Sequence, residues 1–343
     1  MTSSSTAGPS TPRGVVAVGA SAGGVEALTD FASGLPRDLP YAVLVVLHIP
    51  PDAPSVLAKI LDRSGPLPAV PATHGAELEP GTIHVAVPDR HLLIHDHRVV
   101  LSDGPTENGH RPAINALFRS VALGYAQRAV GILLSGVLDD GVLGSAAIRS
   151  RGGTTIAQQP SGAMFSGLPL NAVQAGVIDH EIPAAEMGGL LKELADREFE
   201  EREMEPDPRM ELENRIAMEK RFSTSFDAGA LGPPSGYTCP DCNGGLMVVS
   251  DGNFRCWVGH AWTANSLLRA RDAEVESALW IAVRSLQEKA KLSRRLAESI
   301  GPSGLSRRYS AMADEAEHAV SVLSDRLSEA YGDMGESGGV SAS

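Results

Sequence analysis

Three side chains with complementary chemistry each follow a different apolar segment of the chain. Ser21 lies in the turn GASAG, directly after the segment VVAV. His48 follows the segment AVLVVL, and Asp139 and Asp140 lie shortly after GILL. A serine hydroxyl becomes a good nucleophile when an imidazole takes its proton, and a carboxylate orients and charges that imidazole. These residue types therefore indicate a Ser–His–Asp site for nucleophilic catalysis.

The elements around these residues would bring them together. Four apolar segments have the composition of strands buried on both faces: 15–18, 42–47, 130–134 and 154–157. Helices are predicted at 24–32, 55–63, 113–125 and 143–149, and a β-hairpin is predicted from 83–87 and 91–94. Strands that alternate with helices predict an α/β fold with a doubly wound, mostly parallel sheet. Sites in such sheets form outside the carboxyl ends of the strands, where the serine, histidine and aspartate would meet.

The glycine turn around Ser21 has other interpretations. A dinucleotide-binding turn needs glycine where Ser21 stands, and an acidic residue where His48 stands. A phosphate-binding P-loop needs a lysine that the turn lacks. A helix-capping serine is also common in such turns. The Gly-x-Ser-x-Gly pattern would instead expose the hydroxyl, with N–H groups near Ala22 and Gly23 to hold an oxyanion. The order Ser, His, Asp differs from that of the α/β-hydrolase fold.

Six motifs in sequence resemble the catalytic domain of bacterial chemotaxis protein-glutamate methylesterases of the CheB type, over about residues 13–195: GASAGGVEAL, VVLHIPP, LEPGTIHVAVPDRHLLI, RPAINALFRSVA, GILLSGVLDDGVLGSAAI and AQQPSGAMFSGLPLNAVQAG. The resemblance implies hydrolysis of glutamyl methyl esters on a methyl-accepting chemoreceptor or a related signalling protein. Many members also deamidate receptor glutamines. It implies the triad Ser21, His48 and Asp140, with Asp139 at a variable position, and no cofactor for catalysis.

The sequence departs from the pattern of this family at several points. Ala22 stands where threonine is common, the segment SGVL at 135–138 replaces TGMG, and GLP at 167–169 replaces GMP. These changes keep the triad and affect the oxyanion hole and the substrate cleft. About a dozen residues precede the first predicted strand. We therefore expect no receiver domain in this chain and no control by aspartyl phosphorylation within it.

A second set of residues has the spacing of metal ligands: Cys239, Cys242, Cys256 and His260. Two close pairs of soft ligands suit tetrahedral zinc, and a closed set of four leaves no position for water, so the predicted zinc is structural. Three ordinary buried thiols with a chance histidine are an alternative. A redox Cys-x-x-Cys pair would leave Cys256 and His260 unexplained. The segment also resembles C-terminal zinc-ribbon extensions of some stand-alone members of the same family.

Changes in composition predict the following order of segments: a disordered tail at 1–12, the catalytic domain at 13–195, a charged helix or linker at 196–235, a zinc-ribbon-like module at 236–262, a helical hairpin at 263–331 and a disordered tail at 332–343. The hairpin is predicted from apolar stripes at 268–286 and 312–330, which could also mediate self-association with another chain. Six further histidines are interpreted as surface residues: His74, His84, His91, His95, His97 and His110.

The charge balance and composition exclude several classes of protein. With 29 basic and 42 acidic residues, a net charge of −13 argues against a general nucleic-acid binder and against adhesion to anionic membranes. No apolar run approaches the roughly 20 residues of a membrane span. Three cysteines confined to one site indicate a cytoplasmic protein. The expected function is that of a serine esterase. The alternatives are a non-catalytic protein that docks on receptors and an esterase that acts on another signalling protein.

Overall fold

The structure is a computed structural model that describes residues 11–53, 55–198, 205–218 and 231–336. The predicted tails lie largely outside the described residues, as does much of the charged segment 196–235. The chain divides into two compact units, the first ending at Leu267 and the second beginning at Leu268. Among the described helices, none is both long and apolar enough to cross a membrane.

The first unit is built on alternating strands and helices. Its strands up to residue 182 are β1 (Gly14–Ala20), β2 (Tyr41–Leu47), β3 (Ala69–Pro71), β4 (Ile83–Val85), β5 (His91–His95), β6 (Arg98–Ser102), β7 (Ala129–Leu133), β8 (Thr154–Gln158) and β9 (His180–Ile182). Its helices up to residue 218 are α1 (Gly24–Ser33), α2 (Leu57–Ser64), α3 (Ile114–Tyr125), α4 (Val142–Ser150), α5 (Gly167–Gln174), α6 (Met187–Ala195) and α7 (Pro208–Met218).

Seven strands form one sheet in the order β3-β4-β2-β1-β7-β8-β9, and each neighbouring pair is parallel. Successive side chains of a strand point to opposite faces, and the fully buried β1 contributes to a core on each face of the sheet. Val16 and Val18 of β1 belong to a core with residues of α1, α2 and α6. Val15 and Ala17 belong to a second core with residues of α3, α4 and α5. The predicted α/β fold with a doubly wound parallel sheet is confirmed.

The predicted hairpin from 83–87 and 91–94 is wrong. Strand β4 lies inside the main sheet, parallel to β2 and β3. Strand β5 instead pairs antiparallel with β6. The two strands are joined by Asp96 and His97, which both have positive φ values, of 46° and 61°. That conformation suits a two-residue hairpin turn, so the turn lies one strand later than predicted.

A four-stranded antiparallel sheet completes the first unit. Its strands are β10 (Pro234–Thr238), β11 (Gly245–Ser250), β12 (Asn253–Cys256) and β13 (Ala261–Thr263). We call this sheet the ribbon. Within the charged segment, helix α7 buries Met210, Ile216 and Ala217, so this part of the segment is packed rather than solvated.

The second unit contains most of helix α8 (Ala264–Ile300) and helix α9 (Gly304–Glu336). Arg294 of α8 pairs with Asp314 and Glu317 of α9 at 2.5 and 2.8 Å, as expected for the predicted helical hairpin. At the start of the apolar stripe predicted for the first helix, Leu268 and Val275 are more than half exposed, so they do not pack within the hairpin. Self-association through these helices stays a prediction.

Candidate active site

Ser21 lies in the tight turn between β1 and α1. Its backbone N–H donates a hydrogen bond to the carbonyl oxygen of Ser135 at 3.0 Å. Gly23, the next glycine of the turn, has φ +66°, and a Cβ there would lie 2.8 Å from Ser135 Oγ and 2.9 Å from Met164 Cβ. Only glycine fits both that conformation and that space. The turn therefore holds the nucleophile candidate at the carboxyl edge of the sheet.

The same turn offers backbone donors beside the serine. Helix α1 begins at Gly24, and within the described residues the N–H groups of Ala22 and Gly23 have no hydrogen-bond acceptor. Free N–H groups at the amino end of a helix attract negative charge. They are suited to hold an oxyanion that develops on a substrate attacked by Ser21.

His48 and Asp140 are in direct contact. Nε2 of His48 lies 2.8 Å from Oδ2 of Asp140, and the two side chains are only 8% and 4% exposed. Asp140 also accepts hydrogen bonds from the backbone N–H groups of Ile114 and Asn115 at the start of α3, at 2.7 and 3.3 Å. Burial alone would raise the pKa of Asp140. The hydrogen bond and charge of His48, together with the hydrogen bond from the Ile114 N–H, outweigh burial and lower that pKa. Asp140 is therefore an anion that orients the imidazole.

The structure places Ser21 at the neighbouring strand end. Ala20 and Leu47 are register partners in β1 and β2, so Ser21 and His48 are the next residues of both strands. Because Nε2 of His48 faces Asp140, Nδ1 is the nitrogen left for the serine. Among the contacts of the described residues, no hydrogen bond joins Ser21 Oγ to His48.

Asp139 faces away from His48. Its Oδ1 accepts hydrogen bonds from Thr263 Oγ1 at 2.9 Å and from Ser266 Oγ at 3.0 Å. Burial raises the pKa of Asp139 against the lowering effect of these hydrogen bonds. Of the two adjacent aspartates, the structure brings only Asp140 to the imidazole.

His110 is a member of the site that the sequence analysis missed. Its ring is stacked on that of His48, with centroids 3.7 Å apart. Burial lowers the pKa of His110 to about 4, with a further contribution from the charge of His48. The interpretation of six surface histidines is wrong here and also for His84 and His91, which are 5% and 0% exposed. The position of His110 directly before the motif RPAIN is the signal that could have drawn attention to it.

Two loops lie near Ser21. One exposes apolar side chains, and the other contains a residue with an unusual backbone conformation. Met164 and Phe165 are 64% and 42% exposed, and both lie beside the Cα of Gly23. Leu138 has a positive φ of 64°, a conformation uncommon for a residue with a Cβ. Asn171 of α5 holds that turn by donating a hydrogen bond to the Leu138 carbonyl oxygen at 2.6 Å. The site is thus bordered by an exposed apolar surface that could contact a protein substrate.

The predicted metal ligands lie together in the ribbon. One donor atom from each of four residues falls within 4.8 Å of every other: Cys239, Cys242, Cys256 and His260. Nδ1 of His260 is 3.7 Å from Cys239 Sγ and 3.4 Å from Cys256 Sγ. Tetrahedral zinc with bonds of about 2.1–2.3 Å separates its ligand atoms by roughly 3.4–3.8 Å. The donor set and its spacing therefore fit a zinc ion.

The parallel sheet with serine, histidine and aspartate at its carboxyl edge defines an α/β protein with a candidate serine-esterase site. A sequence profile described as CheB methylesterase matches residues 16–191, and the chain belongs to this family. The matched residues end before the ribbon and the long helices.

Named relatives agree with that assignment. A "Protein-glutamate methylesterase/protein-glutamine glutaminase 3" of Anaeromyxobacter dehalogenans is 44% identical over 174 residues, which are 50% of this chain and 51% of the relative. A "Protein-glutamate methylesterase/protein-glutamine glutaminase 2" of Methanosarcina acetivorans is 37% identical over 184 residues, with 51% and 52% covered. The chain spans about half the length of these curated relatives.

A solved structure is also similar. The CheB methylesterase catalytic domain of Thermotoga maritima matches with a TM-score of 0.51 and 29% identity, over 54% of this chain and 99% of that domain. The similarity thus covers the domain that carries the candidate site.

Proposed function

We propose that the chain is a protein-glutamate methylesterase that hydrolyses glutamyl methyl esters, and also deamidates glutamines, on a chemoreceptor-like protein. The observation that carries this proposal is the buried pair of His48 and Asp140 at the strand end next to Ser21. Membership of the CheB methylesterase family supplies the substrate class.

The proposed reaction uses the chain's own side chains. Ser21 Oγ attacks the ester carbonyl carbon while His48 takes the serine proton. The N–H groups of Ala22 and Gly23 hold the oxyanion. His48 then protonates the departing methanol, and a water that it activates releases the glutamate from the acyl-enzyme. Asp140 keeps the imidazole in the required tautomer and stabilises its cation.

The proposed substrate is a methyl-accepting protein presented to the exposed Met164 and Phe165. An apolar surface beside a nucleophile suits a protein segment better than a small polar ester. No disulfide joins Cys239, Cys242 or Cys256, which accords with the reducing cytoplasm as the proposed location. The net charge of −13 supports a function without nucleic acid.

We also propose that the ribbon holds one structural zinc ion through Cys239, Cys242, Cys256 and His260. Metal analysis of the purified protein should find about one zinc per chain. His260→Ala should lower that content, because it removes one of four ligands. A purified, folded protein without zinc would contradict the proposal.

The esterase proposal is tested with Ser21→Ala. This variant should release no methanol from a methylated receptor and should not react with a fluorophosphonate probe, because the nucleophile is absent. Ser150→Ala, on the exposed surface of α4, is the matched control and should behave as the wild type. Full methanol release by Ser21→Ala would contradict the covalent mechanism. A folded wild-type protein that the probe does not label would favour the non-catalytic docking function.

A further inference from the structure

We propose that Asn108 is a positioning residue that orients the Asp140 carboxylate, and that strand β13 of the ribbon holds Asn108 in place. The proposal rests on the proposed esterase function. It links the ribbon, which lies outside the family match, to the candidate catalytic residues.

The side chain of Asn108 contacts the catalytic domain and the ribbon at once. Its Nδ2 donates to Asp140 Oδ1 at 3.4 Å. Its Oδ1 accepts a hydrogen bond from the backbone N–H of Thr263 at 2.9 Å. Asn108 is only 7% exposed. An amide has a donor and an acceptor at opposite corners, so one buried side chain can connect the two groups.

The backbone around Asn108 is also attached to the ribbon. The N–H of Asn108 donates to the carbonyl oxygen of Ala261 at 2.7 Å. The N–H of Ala261 in turn donates to the carbonyl oxygen of Thr106 at 3.1 Å. Glu107 and Ala261 thereby form a parallel bridge. The loop at 106–108 thus acts as a further short strand at the edge of the ribbon, and β13 sets its position.

Strand β13 and the start of α8 also bind Asp139, the residue before Asp140. The hydroxyl of Thr263 donates to Asp139 at 2.9 Å, and that of Ser266 donates to the same oxygen at 3.0 Å. Asp139 is the chain neighbour of Asp140. Asp139, the chain neighbour of Asp140, and the side chain of Asn108 are therefore both hydrogen-bonded to Thr263 of strand β13.

The position of β13 depends on the proposed metal ligands. His260 directly precedes β13, and its carbonyl oxygen accepts the N–H of Cys256 at 3.0 Å. A metal ion bound by all four ligands would fix the position of His260 and therefore that of the next residue, Ala261. The ribbon would then act on the reaction through β13, Asn108 and Asp140 in turn.

A purely local role for Asn108 makes a different prediction. Asn108 has φ +53°, a left-handed conformation that asparagine, aspartate and glycine tolerate. If only this turn mattered, Asn108→Asp and Asn108→Gly would both leave catalysis unchanged. If the amide positions Asp140, both variants reduce catalysis.

The informative variant is Asn108→Asp. It keeps the shape, the turn and the acceptor for Thr263, but replaces the donor to Asp140 with a second carboxylate oxygen. We expect kcat to fall on the order of 10-fold to 100-fold, with KM unchanged, because the reacting groups and not the substrate are misplaced. The other ionisable groups that interact with Asp140 are His48, His110, Asp139 and Arg119. Added negative charge beside this pair favours a protonated imidazole, so the acid limb of the pH–rate profile should move to higher pH.

Thr106→Val is the matched control. Thr106 Oγ1 donates to Asp241 of the ribbon at 2.8 Å, so this variant removes a contact between the same loop and the ribbon without touching Asp140. It should keep the wild-type kcat and pH–rate profile. Asn108→Gly, which loses both side-chain contacts, should lose at least as much kcat as Asn108→Asp.

A double-mutant cycle between His260→Ala and Asn108→Gly tests the dependence on the ribbon. The quantity measured for each variant is the rate at which a fluorophosphonate labels Ser21. If the ribbon acts through Asn108, the second substitution adds little to the first. Losses that multiply would overturn this part of the proposal. If His260→Ala does not fold, Cys242→Ser replaces it in the cycle.

The outcomes separate the two proposals. A wild-type protein that is not labelled contradicts the esterase function itself. A labelled wild type together with unchanged kcat and pH–rate profile in Asn108→Asp contradicts the positioning role alone. A loss in Thr106→Val as large as that in Asn108→Asp would also overturn it, because any disturbance of the loop would then suffice.

Discussion

The imidazole of His110 lies parallel to that of His48, with ring centroids 3.7 Å apart and planes 12° from parallel. Burial lowers the pKa of His110 to about 4, so this ring is neutral at neutral pH. A neutral ring can pack on His48 without repelling the cation that His48 becomes during the proposed reaction. His110 therefore packs against the face of the His48 ring, while Asp140 forms a hydrogen bond with its edge.

This stacking predicts a specific dependence of stability on pH. The pKa of His110 is about 4 in the folded chain, against an ordinary value of 6.5. Between these values the unfolded chain binds a proton that the folded chain does not, so folding stability is lost as the pH falls through this window. In His110→Asn the fall in the free energy of unfolding should be shallower, as measured by urea unfolding at several pH values.

His95→Asn is the control for this measurement, because the side chain of His95 is 61% exposed. It should retain the wild-type slope. If His110→Asn and the wild type lose stability in parallel across the window, the lowered pKa of His110 is contradicted.

The two adjacent aspartates should differ sharply in their effect on activity. Asp140→Asn leaves an amide against His48 Nε2 and no charge to stabilise the imidazolium, so kcat should fall on the order of a thousandfold to ten-thousandfold. Asp139→Asn still offers an oxygen to Thr263 and Ser266 and should lose only a few-fold. Methanol release from a methylated receptor measures both. Equal losses would contradict the assignment of Asp140 as the partner of His48.

The strand ends were predictable, whereas the partners of each side chain were not. Buried parallel strands have a local signature, an unbroken apolar run, and their carboxyl ends share one edge, so Ser21, His48 and Asp140 could be placed from the sequence. Asp139 has the same local signature as Asp140. The distinction depends on two donors that are distant in the chain: the N–H of Ile114, which binds Asp140, and the hydroxyl of Thr263, which binds Asp139.

Two features that the sequence analysis missed, the turn between β5 and β6 and the contacts of Asn108, also lack a local signature in the sequence. The turn at Asp96 and His97 has neither Asn-Gly nor Asp-Gly, the usual signs of a two-residue hairpin. Asn108 is hydrogen-bonded to both Asp140 and Thr263, which lie 32 and 155 positions after it in the chain. Such contacts depend on how the ribbon packs against the loop, which periodicity and local spacing do not encode.

Gly23 should be required for the geometry of the Ser21 turn. In Gly23→Ala the new Cβ would lie 2.8 Å from Ser135 Oγ, at φ +66°. The left-handed conformation alone costs about 1–2 kcal/mol for a residue with a Cβ. We expect a lower urea midpoint and slower fluorophosphonate labelling of Ser21. Gly162→Ala, where nothing lies within 4 Å of the new Cβ, should retain both values. Wild-type labelling in Gly23→Ala would show that the turn tolerates a side chain.

A buried charge cluster joins the ribbon to helix α3. Glu107 pairs with Arg119 of α3 and with Arg255 of the ribbon, the latter at 3.3 Å. Burial raises the pKa of Glu107, but the charges of the two arginines outweigh it and lower that pKa. Glu107 is therefore a buried anion between two buried cations.

Glu107→Gln should destabilise the first unit strongly. It leaves two buried guanidinium groups whose one shared acidic partner among the described residues is Glu213, at 3.1 Å from Arg119 and 3.7 Å from Arg255. Removing one partner of a buried ion pair costs about 3–5 kcal/mol. Glu77→Gln removes one partner of an ion pair with Arg98 in which both side chains are about half exposed, and should cost at most about 1 kcal/mol. Urea unfolding of both variants measures the difference. Equal and small losses would mean that water reaches Glu107 and that the ribbon is not held to α3 by this cluster.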